Sequence, residues 1–109
     1  MASRSAQLNH SDQIVTITHF VQDEGGKYVA ELPDERATGY LEWEPGDYPN
    51  VRIATHTVVP AAIGGRGVAA RLVERLVADA RAGGFRIVPQ CWYVAKKFDE
   101  NPEWAGLRA

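Results

Sequence analysis

Gly64-Gly65-Arg66-Gly67 stands where the hydrophobic pattern of the chain changes period. Before it, Val51 to Val59 (VRIATHTVV) is the longest β-branched run and predicts a central strand. After it, Val68, Leu72, Leu76 and Ala80 recur at helical spacing, with Ala69, Val73 and Val77 beside them. That spacing predicts an amphipathic helix over Val68 to Ala82. Arg71, Glu74, Arg75 and Asp79 fall on its polar face, and Gly83-Gly84 closes it by supplying a left-handed residue. Glycine at most positions of the loop lets the backbone approach a ligand closely. The helix behind it presents unpaired N–H groups and the positive end of its dipole. Such a loop is an anion site with phosphate as its usual guest. The other reading is a tight strand-to-helix connection that binds nothing. No Gly-Lys-Ser/Thr ends the loop, so it is not a P-loop; GxGxxG is absent and no parallel strand precedes the loop, so it does not read as a dinucleotide fingerprint.

The rest of the chain fits around this junction. Ile14 to Val21, Lys27 to Leu32 and Thr38 to Glu44 read as strands, and Asp23-Glu24-Gly25-Gly26 and Pro33-Asp34-Glu35-Arg36 read as the turns between them. With Val51 to Val59 they predict an antiparallel meander. Phe85 to Gln90 predicts a fifth strand. Because a helix separates it from the fourth, the two are expected as parallel neighbours in a right-handed βαβ unit. Tyr93 to Glu100 predicts a short helix, and Asn101-Pro102 opens a final turn through Leu107. The expected fold class is α+β, with one domain over residues 14–109. Residues 1–13 read as a flexible polar lead-in without the apolar stretch of a secretory signal.

Composition removes several function classes. A chain of 109 residues that is 45% hydrophobic and 24% charged has enough apolar content for one core, which excludes disorder as its default. No apolar run approaches the ~20 residues that cross a bilayer, so no membrane partner is expected. A net charge of −2 gives no general drive toward nucleic acid. The single cysteine excludes an internal disulfide framework and fits a reducing cytoplasm, the expected location. Cys91 and three scattered histidines show no metal-ligand spacing, so no metal is expected.

Thr55-His56-Thr57-Val58-Val59-Pro60, then Gly65-Arg66-Gly67-Val68-Ala69 and the amphipathic helix, resemble the acetyl-CoA loop of the GNAT (GCN5-related) N-acetyltransferase superfamily. Val88-Pro89-Gln90-Cys91-Trp92-Tyr93-Val94, with Asn101-Pro102-Glu103-Trp104, narrows the resemblance to a subgroup of minimal members carrying HTxV, GxGxA and PxC. It covers Tyr28 to Leu107. It implies a GNAT-like mixed sheet, acetyl-CoA as cosubstrate, and an unidentified amine acceptor, either a small molecule or a protein. It further implies that the loop opened by Gly64 holds the CoA pyrophosphate on backbone N–H groups of Gly65, Arg66, Gly67, Val68 and Ala69. The strand ending at Thr57-Val58-Val59 would splay from Phe85–Gln90 and offer backbone groups to the pantetheine arm. Two departures stand out: Gly64 replaces the Gln or Arg that opens the superfamily loop, and Asn101 replaces the subgroup's histidine.

Moving an acetyl group from a thioester to an amine needs a neutral nucleophile, an oxyanion donor and an acid for the leaving thiolate. Superfamily members often use a glutamate base, yet no carboxylate lies between Ile53 and Pro60. Cys91 and His56 instead match the positions suspected of catalysis in the subgroup. Cys91 follows Pro89 at the end of the fifth strand, the carboxyl edge where α/β ligands bind. A thiol attacks as thiolate and needs a nearby base or helix N-terminus; otherwise it is a small buried hydrophobe. His56 falls on the strand face opposite Thr55 and Thr57 unless a bulge intervenes. Imidazole suits proton transfer near neutrality, the alternative being a histidine hydrogen-bonded inside the sheet. Tyr93 is an acid candidate, on the same side as Cys91 if the strand continues. Arg66 is a charge partner for CoA phosphates or a solvated loop arginine, while Arg71 and Arg75 are expected in solvent. Tyr40, Trp43, Trp92 and Trp104 read as packing anchors, and His10 and His19 receive no role. The expected function is acetyl-CoA-dependent N-acetyl transfer. The alternative is a CoA-binding or protein-interaction module without chemistry.

Overall fold

A computed structural model describes residues 14–109; the lead-in expected at 1–13 lies outside the described residues. The elements are β1 (Thr16–Gln22), β2 (Gly25–Glu31), β3 (Gly39–Pro45), β4 (Val51–Val58), α1 (Val68–Gly83), β5 (Arg86–Pro89) and α2 (Trp92–Glu100). Short 3-10 turns span Ala61–Ile63 and Pro102–Leu107. The five strands form one sheet in chain order. The first four pair antiparallel, and β4 pairs parallel with β5 across α1. This is the α+β meander-plus-crossover that the sequence predicts.

The boundaries follow from local chemistry. Gly84 takes the left-handed conformation (φ 73°) and donates its N–H to Ala80 O, which stops α1. Phe85 also donates to Ala80 O, so it belongs to the helix end and β5 begins one residue later than predicted. Pro89 has no N–H to donate and Gln90 N–H turns back to Val88 O, which ends β5 early.

The predicted stripe of α1 is the core: Val68, Leu72, Val73, Leu76, Val77 and Ala80 are buried against Tyr28, Ala30 and Leu41 of the sheet. Removing a side chain such as Leu72 from water contributes about 1.5–3 kcal/mol. The polar flank of α1 departs from expectation. Arg75 is not a solvent residue: its Nη1 donates to Ile17 O at 3.1 Å and its Nε to Asp79 Oδ1 at 3.2 Å. Asp79 Oδ2 accepts from the Tyr28 hydroxyl at 2.7 Å. The helical period marks these residues as polar, but it cannot see a buried tyrosine hydroxyl beneath them. His19 joins the same cluster, stacked on Tyr28 with centroids 4.1 Å apart and accepting at Nε2 from Trp43 Nε1–H at 3.0 Å. Trp43 and Trp104 are buried as expected. Trp92 is not an anchor, since 74% of it is exposed. Among the described residues no helix is long and apolar enough to cross a membrane.

Candidate functional site

The site begins where β4 outruns β5. Parallel pairing runs from Val51↔Arg86 to Ala54↔Pro89 and stops. Cys91 N–H then reaches back to Ala54 O at 2.9 Å, and the chain turns into α2. β4 continues beside β3 to Val58. Thr57 and Val58 therefore have no strand partner on the β5 side, and Val58 is exposed.

The glycine loop lies between the end of β4 and the start of α1. Ile63 is buried and anchors its 3-10 turn. Gly64 is extended, whereas Gly65 and Gly67 have φ of 74° and 75°. Nothing stands within 4 Å of where a Cβ would sit at either of those two. Any other residue would be strained there by its own backbone. Gly67 caps α1 without a side-chain bond, and no acid occupies the first turn. The positive end of α1, at Val68 and Ala69, is thus left without a neutralising group from the helix itself. Arg66 borders the loop half-buried, with Nη1 3.5 Å from Glu35 Oε2, so it is a paired arginine rather than a solvated one.

Cys91 is the N-cap residue of α2, extended at φ −65° and only 7% exposed. Its Sγ lies 3.5 Å from Thr57 Oγ1. Burial alone would push the thiol's pKa up. The Thr57 hydroxyl and the backbone N–H groups of Val94 and Tyr93 in the open first turn favour the thiolate, and the net shift is downward. Tyr93 is not on a continued strand; it sits in that first turn, edge-on to Trp92 with centroids 5.8 Å apart. The strand-alternation argument for its side therefore fails, because Pro89 ends the ladder.

His56 faces elsewhere. Glu42 pairs with His56 but Trp43 pairs with Ala54, which makes Thr55 the extra residue of a bulge. Ala54 and Thr55 are consequently both buried, and Thr55 Oγ1 donates to Glu42 O at 3.2 Å. His56 has 67% of its side chain exposed, with Nδ1 3.4 Å from Glu42 Oε1, so it is not hydrogen-bonded inside the sheet. Lys27 Nζ lies 3.8 Å from the other Glu42 oxygen. The pair opens on a cleft of about 360 Å³ that Asp23, Glu24 and Glu44 also line. Among the described residues no hydrogen bond or ion pair joins His56 to Cys91. His56 meets Glu42, and Cys91 meets Thr57.

Sequence reasoning missed Glu42 and the side chain of Thr57. The carboxylate absent from β4 arrives from β3, and only the strand register places it beside His56. Asn101, where the subgroup has histidine, donates Nδ2–H to Lys97 O at 2.8 Å and serves the end of α2. Among the described residues no group of His, Cys, Asp and Glu is arranged to hold a metal ion.

The family model described as GCN5-related N-acetyl-transferase matches residues 27–107. The match takes in the strand divergence, the glycine loop and Cys91. None of the curated proteins matches the chain.

Proposed function

This chain belongs to the GCN5-related N-acetyltransferase family, and from that footing we propose that it binds acetyl-CoA and transfers the acetyl group to an amine. The observation that carries the reading is the start of α1 behind Gly65 and Gly67, free of acids and of any side-chain cap bond, set next to the stretch of β4 that has no partner on the β5 side. The open space at both glycines and the unneutralised helix end fit a pyrophosphate held by backbone N–H groups from Gly65 to Ala69. Thr57, Val58 and Val59 fit the pantetheine arm. Bound there, acetyl-CoA supplies the acetyl group as a thioester, and net transfer exchanges the thioester C–S bond for a C–N bond.

The chain's own groups then have distinct tasks. Glu42 beside Nδ1 favours the tautomer with its proton on that nitrogen. That leaves His56 Nε2 free to accept a proton in the cleft it shares with Glu42, on the face of β4 away from Cys91. On the other side of β4 the Cys91 thiolate takes the acetyl group, its own C–S bond forming as the CoA C–S bond breaks, with Tyr93 in the same helix turn as the acid for the leaving CoA thiolate; the amine then displaces Cys91 as the C–N bond forms. The protein works as one domain over residues 14–109, in the cytoplasm.

Calorimetric titration with acetyl-CoA tests the reading, with wild type and Cys91→Ala side by side. Both are expected to bind, and only wild type is expected to consume thioester when amines are supplied. No heat from either protein at millimolar acetyl-CoA overturns it. A second reading, a CoA-binding module without chemistry, is favoured by the lack of contact between His56 and Cys91. Tight binding with no thioester consumption across a broad amine panel would select it.

A further inference from the structure

Thr57 enters the site through its backbone in the reading above, yet its side chain points to a different task. Cys91 is buried, so bulk water does not surround Sγ, and the polar side chain set against that sulfur is Thr57, with Oγ1 3.5 Å away. Both ends of this contact are held by main chain. Thr57 is fixed by its register with Leu41. Cys91 is fixed by its N–H on Ala54 O and by its own carbonyl, which accepts from Ala95 N–H at 3.0 Å. The direction of the Cα–Cβ bond at each residue therefore does not depend on the other side chain.

We propose that Thr57 is the positioning residue of the Cys91 thiol, its hydroxyl fixing Sγ at the mouth of the β4–β5 divergence and holding the charge when the thiol ionises. The inference rests on the reading that Cys91 is the reacting thiol. In the neutral form S–H donates to Thr57 Oγ1. When the proton leaves to water, the hydroxyl turns and donates to the thiolate. Thr57 also lies in the stretch of β4 beyond the last rung with β5. One residue thereby borders the place proposed for the pantetheine arm and sets the ionisation of the sulfur next to it.

Cys91 is the only cysteine, so the ultraviolet absorbance of the thiolate, corrected with Cys91→Ala for tyrosine, titrates this group alone. Thr57→Val keeps the β-branched shape and removes the hydroxyl. It is expected to raise the titration midpoint by about one pH unit, which lowers the thiolate fraction at a fixed pH about tenfold. Thr57→Ser, which restores a hydroxyl, is expected to recover most of the shift. Should Thr57→Val fail to fold by circular dichroism, Thr57→Ala takes its place in the same comparison. A hydroxyl-free variant that titrates with wild type overturns the proposal. So does Thr57→Ser moving as far as the hydroxyl-free variant, because packing and not the hydroxyl would then be responsible. Thioester consumption by Cys91→Ala tests the underlying reading separately. Full consumption removes Cys91 from the reaction, while a shifted Thr57→Val titration still supports the hydroxyl as the group that sets the thiol's ionisation.

Discussion

Two regions of this molecule hold a shielded titratable group, and they treat charge in opposite ways. Under the β1 edge, His19 stacks on Tyr28 and accepts from Trp43. Its pKa is lowered first by burial and also by Arg52 and Arg75, against an opposing pull from Asp79. The ring is thereby held neutral. The Tyr28 hydroxyl is pushed up, by burial and then by its bond to Asp79, and also stays neutral. At the β4–β5 divergence, burial works against the Cys91 thiolate, but the Thr57 hydroxyl and the backbone N–H groups of Val94, Tyr93 and Thr57 outweigh it. A lowered pKa means a neutral imidazole in one region and a more accessible anion in the other. What separates them is the supply of donors. The first region is a closed set of partners, while the second keeps donors aimed at a charge that has not yet formed. That asymmetry fits the proposed roles, the first region as scaffold and the second as site.

The comparison is broken most forcefully at Gly67. Gly67→Val puts a β-branched residue at φ 75° and a side chain into the space against the helix end. It is expected to weaken acetyl-CoA binding about a hundredfold by calorimetry. Chemical shifts of the His19 and Trp43 side chains should barely move. A variant that binds like wild type would remove the glycine loop from the site. Next in size is Tyr28→Phe, which takes a donor from Asp79 and is expected to cost about 1–2 kcal/mol in urea unfolding. Acetyl-CoA affinity should stay within about twofold, since that bond lies outside the site. A large affinity loss would mean that the two regions are coupled.

The smallest effect concerns pH. His19 has a folded pKa below its unfolded value, so above the unfolded value of about 6.5 the ring is neutral in both states and contributes no pH dependence. As pH falls below that value the unfolded chain takes up the proton first, and stability drops until the folded pKa is passed. Urea midpoints measured from about pH 7.5 to 5 should fall more steeply in wild type than in His19→Gln, which keeps an acceptor for Trp43. Parallel slopes would show that the ring carries no such linkage.

Much of the scaffold is legible along the chain because it depends on period. The stripe from Val68 to Ala80, the glycine stop and the meander are each set by residues a few positions apart. The site is legible only as an inventory. Cys91, His56 and the glycines can be picked out, but what each one faces depends on register. The bulge at Thr55 decides that His56 meets Glu42, a residue from another strand. The helix expected from Tyr93 begins one residue earlier, at Trp92, so Cys91 just beyond β5 becomes its cap and Tyr93 falls in its first turn. Trp92 shows the same limit, since an aromatic residue reads as core until the helix start turns it outward.

Each antiparallel neighbour in the sheet is also next along the chain, so those pairings close short loops at little entropic cost. The β4–β5 pairing is the exception, because α1 must form and cross over before those two strands can meet. Refolding should therefore assemble the meander quickly and complete the surroundings of Cys91 late. The sulfur would spend the early part of folding as an ordinary exposed thiol, open to oxidation before Thr57 and the start of α2 close around it.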